Sequence, residues 1–509
     1  MVIWVNPCNQ PTAIGQLRCP AVTRQAAVAC GNPATAAAAV EILAAGGNAV
    51  DAVLAAGFAA AVAEPGLTSL GGGGFLLYRQ PRGADHLLDF FVDAPGRGLP
   101  EATLSPHFTP ITITFSGAEQ VFHAGYGSVG VPGVLDGYLE AHRRFGVLPL
   151  ADVVEPARAF ADGGVELAVT QAEVLGLLRD ILTLTDEARV VFAPTGAVPR
   201  AGEPLRNALL SPFLFELAAG SVTGWRDIPS RHQLVAQMSE HDGLLTLADL
   251  TSYRVIDREP IVASYRGATV TTNPAPSFGG SIVVDALTRL TEADQTPPKG
   301  LAHTVAAVES LAEATDRAKQ TRAPQSSRGT THISVVDGDG GLASMTTSNG
   351  SCSGVMVPGT GVQLNNVMGE ADLHPDGFHA TTPGTRVGSM MAPMFVDLPD
   401  GRVIAMGSGG SERIRSALLQ TIVNLVDHGV SLADAIATPR IHHDGRRIHV
   451  EPGVREHLSA ALAALAPVNR WSRSDLYFGG VHGVMRRPDG KVEAVGDRRR
   501  DGVGRVIDL

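Results

Sequence analysis

Gly329-Thr330-Thr331-His332-Ile333-Ser334-Val335-Val336-Asp337 is the stretch on which the reading of this 509-residue chain turns. Two threonines open an apolar, β-branched run of the kind that makes a buried strand. A second, hydroxyl-rich strand follows, Leu342-Ala343-Ser344-Met345-Thr346-Thr347-Ser348-Asn349-Gly350. A threonine hydroxyl is a poor nucleophile without a base beside it. The residue's own α-amine can be that base once the chain is cut before it, and such an amine titrates near pH ~8. Thr330 is therefore a candidate to carry nucleophile and base together. A hairpin whose threonines serve strand propensity alone is the plain alternative, and the rest of the chain decides between the two.

Upstream, residues 321–329 are polar and irregular, with Arg322, Pro324, Gln325, Ser326, Ser327 and Arg328, as an exposed linker should be. A long helix is predicted before it, over 302–320. Downstream, a strand over 403–406 enters Gly407-Ser408-Gly409-Gly410-Ser411, and a helix over 412–427 follows. Its small or apolar residues Ile414, Ala417, Leu418, Thr421, Ile422 and Leu425 share one face, and Gly429 stands at the C-cap position. Strand, glycine turn and helix N-terminus make a corner of outward N–H groups aided by the helix dipole, which is what an oxyanion hole needs. A tight strand-to-helix turn is the simpler alternative.

Towards the N-terminus, Asn32-Pro33 and Asn48 predict the starts of two helices, to about 45 and 63. Gly71-Gly72-Gly73-Gly74 then precedes a strand, Phe75-Leu76-Leu77-Tyr78. No Gly-Lys-Ser/Thr follows, so a phosphate loop is disfavoured and close packing or a pocket wall is favoured. Further helices are expected over 132–145, 150–163, 247–253 and 281–290. Strands are expected over 255–264, 268–272 and around 362–364, the last leading to Asn365-Asn366.

Composition narrows the function classes. Apolar residues make up 44% and charged residues 18%, so a large core is available, and the net charge is −11 with no long basic run. Nucleic acid and anionic membrane are disfavoured as partners. Cys8, Cys19, Cys30 and Cys352 lack metal-type spacing and suit free thiols. The first residues show no basic region and only a short apolar run, from which a cytoplasmic location is expected. His442-His443-Asp444 with His449 raises a metal site, but adjacent strand residues face opposite ways and no HExxH is present, so structural roles are favoured. No cofactor is implied.

The ordered motifs resemble those of the γ-glutamyltranspeptidases, which are N-terminal-nucleophile hydrolases. The resemblance spans nearly the whole chain: residues 46–52, 71–75, 128–133, 258–260, the 330–337 strand, Pro358-Gly359-Thr360-Gly361, Leu364-Asn365-Asn366, 407–411, 479–482 and 499–502. It is weakest over 167–242. It implies an α/β (α+β) four-layer αββα sandwich, made as one unit from fragments 1–329 and 330–509 after self-cleavage. It implies Thr330 as nucleophile and Gly409 with Gly410 as the oxyanion pair. A second catalytic hydroxyl falls on Ser348 without a gap, or on Thr347 with a one-residue shift. Asn349 falls near an asparagine that grips the glutamyl head. The acidic grip on the substrate α-amine falls on Glu370 ungapped, or on Asp372.

Two departures bear on substrate. Phe91, in Asp89-Phe90-Phe91-Val92-Asp93-Ala94-Pro95, stands where the family has an arginine for the glutamyl carboxylate. The serine pair that shares that duty becomes Ser389-Met390. An unpaired carboxylate in such a pocket is costly, so the apolar pair favours weak handling of γ-glutamyl amides and hydrolysis over transfer. The expected partners are a small amide, water or an acceptor amine, and the chain's own second fragment. The alternatives are an acylase with a non-glutamyl acyl group, and an inactive ligand-binding relative, against which Thr330, its neighbouring hydroxyls and the glycine corner argue.

Overall fold

Alternation along the Thr330 strand sorts its side chains between two cores. In the computed structural model, residues 24–105, 107–115, 118–293, 301–320, 329–374 and 376–509 are described. Thr331, Ile333 and Val335 point to one side of the sheet, where Ile333 and Val335 join an apolar core under flanking helices. Thr330, His332, Ser334 and Val336 point to the other side, against a second sheet.

The first sheet has seven antiparallel strands in the order Val503–Asp508, Gln25–Cys30, Thr330–Val336, Leu342–Ser348, Gly73–Arg79, Asp85–Phe90, Ile256–Arg258. The second has six antiparallel strands in the order Val492–Val495, Gly480–Arg486, Val403–Gly409, Met394–Asp397, Ala268–Thr272, Ile261–Tyr265. Helices Pro33–Ala44, Ala49–Ala63 and Val134–Phe145 cover the outer face of the first sheet, and Leu150–Gly163 packs on the outside of Ala49–Ala63. Helices Phe278–Ala293, Leu301–Gln320 and Arg413–Val426 cover the second. This is the expected four-layer αββα sandwich.

Local signals place the helices. Asn32 accepts the Ala34 N–H at 2.8 Å, and Pro33 opens the first helix. Asn48 accepts the Val50 and Asp51 N–H groups, while Asp51 accepts from Asn48 N, a reciprocal cap. The second helix is alanine-rich and buried along its entire length, which lets it lie flat between the sheet and helix Leu150–Gly163. The Gly71–Gly74 run serves close packing: a Cβ on Gly72 would stand 2.3 Å from the Ser348 carbonyl oxygen, and one on Gly74 2.6 Å from that of Thr346.

The structure also departs from expectation. The strand expected around 362–364 is reduced to isolated bridges, Gly71 to Leu364 and Met356 to Gln363, because the Asn365 side chain takes over local pairing. Its amide donates to the Gly71 and Gly130 carbonyls, and its oxygen accepts from Gly130 and Val367. A hairpin, Thr109–Phe115 with Ala118–Ala124, and short helices over 169–240 were not anticipated. The linker over 321–328 lies outside the described residues, as do Cys8 and Cys19. Cys30 and Cys352 are buried free thiols whose pKa burial raises.

Candidate active site

Strand register builds the site. Thr330 is directly opposite Ser348, and Ser348 is opposite Gly73, so these three share one row and one face of the sheet. Thr331 and Thr347 form the next row and point the other way, where the Thr347 and Thr68 hydroxyls meet at 2.8 Å. Of the two candidate second hydroxyls, Ser348 is therefore the one beside Thr330. Its Oγ donates to the carbonyl oxygen of Gly329 and accepts the Gly350 N–H at 3.0 Å.

The Thr330 hydroxyl is fully buried and has no hydrogen-bond partner among the described residues. A buried polar group left unpaired is unfavourable, so its persistence points to use. The residue's backbone, by contrast, is tightly held. Arg500 Nη1 donates to the Thr330 carbonyl at 3.1 Å, and Nη2 donates to that of Leu476 at 3.4 Å. Burial lowers the Arg500 guanidinium to about 10. Gly409 ends its strand against the same carbonyl: a Cβ there would lie 2.2 Å from Thr330 O. Gly410 has φ +127°, and its Cβ would lie 2.7 Å from Gly479 Cα. The Gly410 carbonyl accepts from Arg413 N at 3.0 Å, which starts the following helix. The structure thus brings Thr330, Ser348, Gly409 and Gly410 together at one end of the inter-sheet layer.

Behind this row lies a chain of buried hydroxyls and imidazoles. His332 contacts Thr346 Oγ1 at 2.8 Å and Ser334 Oγ at 2.9 Å, and Ser334 donates to the His482 carbonyl at 3.1 Å. Burial holds both histidines below the usual imidazole range, His482 at about 4. On the helix side, Glu64 accepts from Thr331 Oγ1 at 2.6 Å and from Thr35 Oγ1 at 2.7 Å, and burial raises its pKa. The Gly66 carbonyl oxygen lies 3.0 Å from where a Cβ of Gly329 would stand. Glu64 and Arg500 were missed in the sequence reading. Neither sits in a local pattern that marks chemistry, although Arg500 lies in the Arg499-Arg500-Asp501-Gly502 motif.

The candidate substrate groups divide. Asn349 is fully buried; its Nδ2 donates to Leu364 O at 3.4 Å, and its Oδ1 has no partner among the described residues. Glu370 is buried, with Oε1 3.0 Å from the Cβ position of Gly350, so its carboxylate adjoins the Ser348–Gly350 turn. Asp372 lies in the short turn Ala371–Leu373, and its side chain is outside the described residues. Ser389 belongs to a different turn: its Oγ accepts from Met391 N at 3.1 Å, and its carbonyl accepts from Phe278 N at 2.7 Å. Met390 packs in the outer core with helix Phe278–Ala293.

Phe91 continues the Thr330–Ser348–Gly73 row. Its ring lies 2.9 Å from the Cβ position of Gly73, stacks on Phe75 at 5.8 Å, and shares a core with Val367, Met368 and Leu373. Arg386 is no substitute carboxylate clamp. It is buried between Asp89 and Asp93 at 2.9 and 2.7 Å and donates to the Phe91 carbonyl at 2.8 Å.

A model of the γ-glutamyltranspeptidase family matches residues 35–325 and 313–507. The chain belongs to the γ-glutamyltranspeptidase family. Among its relatives, the acylase ACY 1 proenzyme of Pseudomonas sp. strain SE83 is 32% identical, over 95% of this chain and 94% of that one. The glutathione hydrolase proenzyme of Escherichia coli K12 is 29% identical, over 90% of this chain and 88% of that one. The solved cephalosporin acylase of Bacillus halodurans superposes with a TM-score of 0.81 at 27% identity, over 95% and 96% of the two chains. Like other γ-glutamyltranspeptidase-family members, the protein is an enzyme of the N-terminal-nucleophile hydrolase type, an amidohydrolase or acyltransferase.

Proposed function

We propose that the chain cuts itself between Gly329 and Thr330 and then cleaves an amide through an acyl ester on Thr330. The buried, unpartnered Thr330 hydroxyl in its row with Ser348 carries this reading. In the first reaction Thr330 Oγ1 attacks the Gly329 carbonyl, whose oxygen receives the Ser348 hydroxyl hydrogen bond. The peptide C–N bond breaks as the ester forms, and the amine takes the proton. Water then hydrolyses the ester and leaves fragments 1–329 and 330–509 with a free α-amine on Thr330.

In turnover that amine accepts the hydroxyl proton as Thr330 attacks the substrate carbonyl, and returns it to the leaving amine. N–H groups of Gly409 and Gly410 receive the oxyanion. Water, or an acceptor amine, releases the acyl group. Glu370 with Asn349 suits a substrate ammonium, which favours a γ-glutamyl or similar amide. Phe91, beside Gly73 in the Thr330–Ser348 row where the family's carboxylate clamp would stand, favours the acylase reading. So do the resemblances to the Pseudomonas acylase and the Bacillus acylase.

Intact mass and N-terminal sequencing test the first step. Wild type is expected to give two associated fragments, the smaller beginning Thr330-Thr331-His332, and Thr330→Ala one chain. A wild-type chain that stays whole after long incubation at neutral pH overturns the proposal. A panel of γ-glutamyl, glutaryl and simple acyl anilides then decides the acyl group.

A further inference from the structure

The hairpin Thr109–Phe115 with Ala118–Ala124 places an aromatic cluster beside Glu370. Phe108 stands 4.8 Å from Phe378, 5.2 Å from His123 and 5.4 Å from His379, centroid to centroid, and His123 stands 4.9 Å from Phe378. The hairpin is seated directly on the turn that carries Glu370: a Cβ on Gly369 would lie 2.3 Å from the His123 carbonyl oxygen. Glu370 in turn adjoins Gly350, whose N–H bonds Ser348, the neighbour of Thr330. The cluster therefore adjoins the proposed reaction centre through Glu370 and the Ser348–Gly350 turn.

We propose that the rings of Phe108, His123, Phe378 and His379, with His374 behind them, form a subsite for a planar aromatic acyl group that carries an N–H or O–H donor. The inference rests on the Thr330 reading above. The tautomers follow from the bonds made. His123 Nδ1 and His374 Nε2 each face a carbonyl oxygen, Gly369 O and Val367 O, both at 3.1 Å, so both nitrogens carry hydrogen and donate. That leaves His374 Nδ1 a bare acceptor on a side chain only 5% exposed, with no partner among the described residues. His379 Nε2 is also buried without a partner. A buried acceptor is unfavourable until something supplies a donor.

The rest of the cluster is suited to stacking. Burial pushes His379 down to about 4 and lowers His374, so these rings are uncharged at neutral pH. Phe378 is left 36% exposed although three rings already surround it, which leaves ring surface for a further partner. Rings that served only to pin the turn would need neither the open face nor the bare acceptor on His374.

The test compares p-hydroxyphenylacetyl, acetyl and γ-glutamyl p-nitroanilides on wild type, Phe108→Ala and Phe378→Ala. Wild type is expected to favour the aryl over the acetyl substrate in kcat/KM by about 10-fold. Each truncation is expected to reduce that ratio by about 2- to 12-fold, the worth of one aromatic pair. A second arm follows p-hydroxyphenylacetamide binding to the uncleaved Thr330→Ala protein by ligand-observed NMR, with Phe378→Ala in the same background losing the signal. Equal losses on aryl and acetyl substrates, or no aryl preference and no binding, overturn the subsite while turnover of the other anilides upholds Thr330. Binding at the cluster with no turnover of any anilide upholds the subsite and overturns the Thr330 mechanism.

Discussion

Replacing Gly409 by alanine sets a methyl group against the reaction centre. Its Cβ would lie 2.2 Å from the Thr330 carbonyl oxygen and 3.0 Å from Arg500 Nη1, where ordinary contact begins at 3.4 Å. The deficit against the carbonyl is roughly 1.2 Å, and a fixed carbonyl cannot rotate away as a flexible side chain could. Either Thr330 or the Gly409–Gly410 N–H pair must therefore move by about that distance. A displacement of about 1 Å at a reacting group costs about 10²-fold in rate. Loss of one oxyanion donor costs about 10²–10³-fold, or about 3–4 kcal/mol of transition-state stabilisation. Gly409→Ala is expected to lower kcat by that factor on whichever anilide the wild type cleaves, and to slow self-cleavage in a time course followed by intact mass. Gly176→Ala is the matched control: it is an exposed position of the half-buried helix Val169–Leu177 with nothing within 4 Å, and the change should be neutral or stabilise by about 0.5–1 kcal/mol. A folded Gly409→Ala protein with wild-type kcat and wild-type maturation would refute the assignment of this corner to the oxyanion.

Two further outcomes follow from buried charge. Arg386→Met strands Asp89 and Asp93 without their shared buried cation, and Asp89 retains the Arg258 ion pair and the Phe91 N–H. The expected loss is about 3–5 kcal/mol by denaturant titration, and an unchanged midpoint would remove the cluster as a support of the Asp85–Phe90 strand. His482, at about 4 in the fold against 6.5 ordinarily, binds its proton more weakly folded than unfolded. Its contribution is therefore present above pH 6.5 and is lost as pH falls towards 4, on the order of 3 kcal/mol. Because His482 Nδ1 accepts the Asp497 N–H at 3.2 Å, an asparagine in its place would keep an acceptor without the titration. His482→Asn should flatten the acid side of the melting-temperature profile, and a profile parallel to wild type would show that His482 does not drive it.

What was legible in the sequence was local. The Asn caps, the one-face helix after Ser411, the glycine run and the β-branched nucleophile strand are each written within a few adjacent residues, and each stands where expected. What was illegible depended on partners far along the chain. Register settled which hydroxyl neighbours Thr330, because a one-residue slip exchanges Ser348 for Thr347 and turns the side chain to the opposite face. Arg500 lies 170 residues from the carbonyl it holds, and Glu64 lies 267 from Thr331. Ser389 and Met390 looked like pocket residues by their place in the motif, yet one braces a turn and the other fills the outer core. The hairpin over Glu370 was legible but unread: an alternating run, Ile111-Thr112-Ile113-Thr114-Phe115, meets the turn pair Ser116-Gly117.

The strand order gives the proposed cut a consequence for how the two pieces behave afterwards. Gln25–Cys30 is laced between Thr330–Val336 and Val503–Asp508, so the large piece contributes a strand flanked on both edges by the small one. Further along the same sheet, Leu342–Ser348 of the small piece pairs with Gly73–Arg79 of the large one. In the second sheet Ala268–Thr272 of the large piece zips onto Met394–Asp397 of the small one. Severing the peptide at 329 would thus free an amine without freeing a subunit. The halves should not exchange with tagged copies on mixing, and dilution should not lower the melting temperature. Parting them would require peeling all of these antiparallel ladders, which amounts to unfolding both.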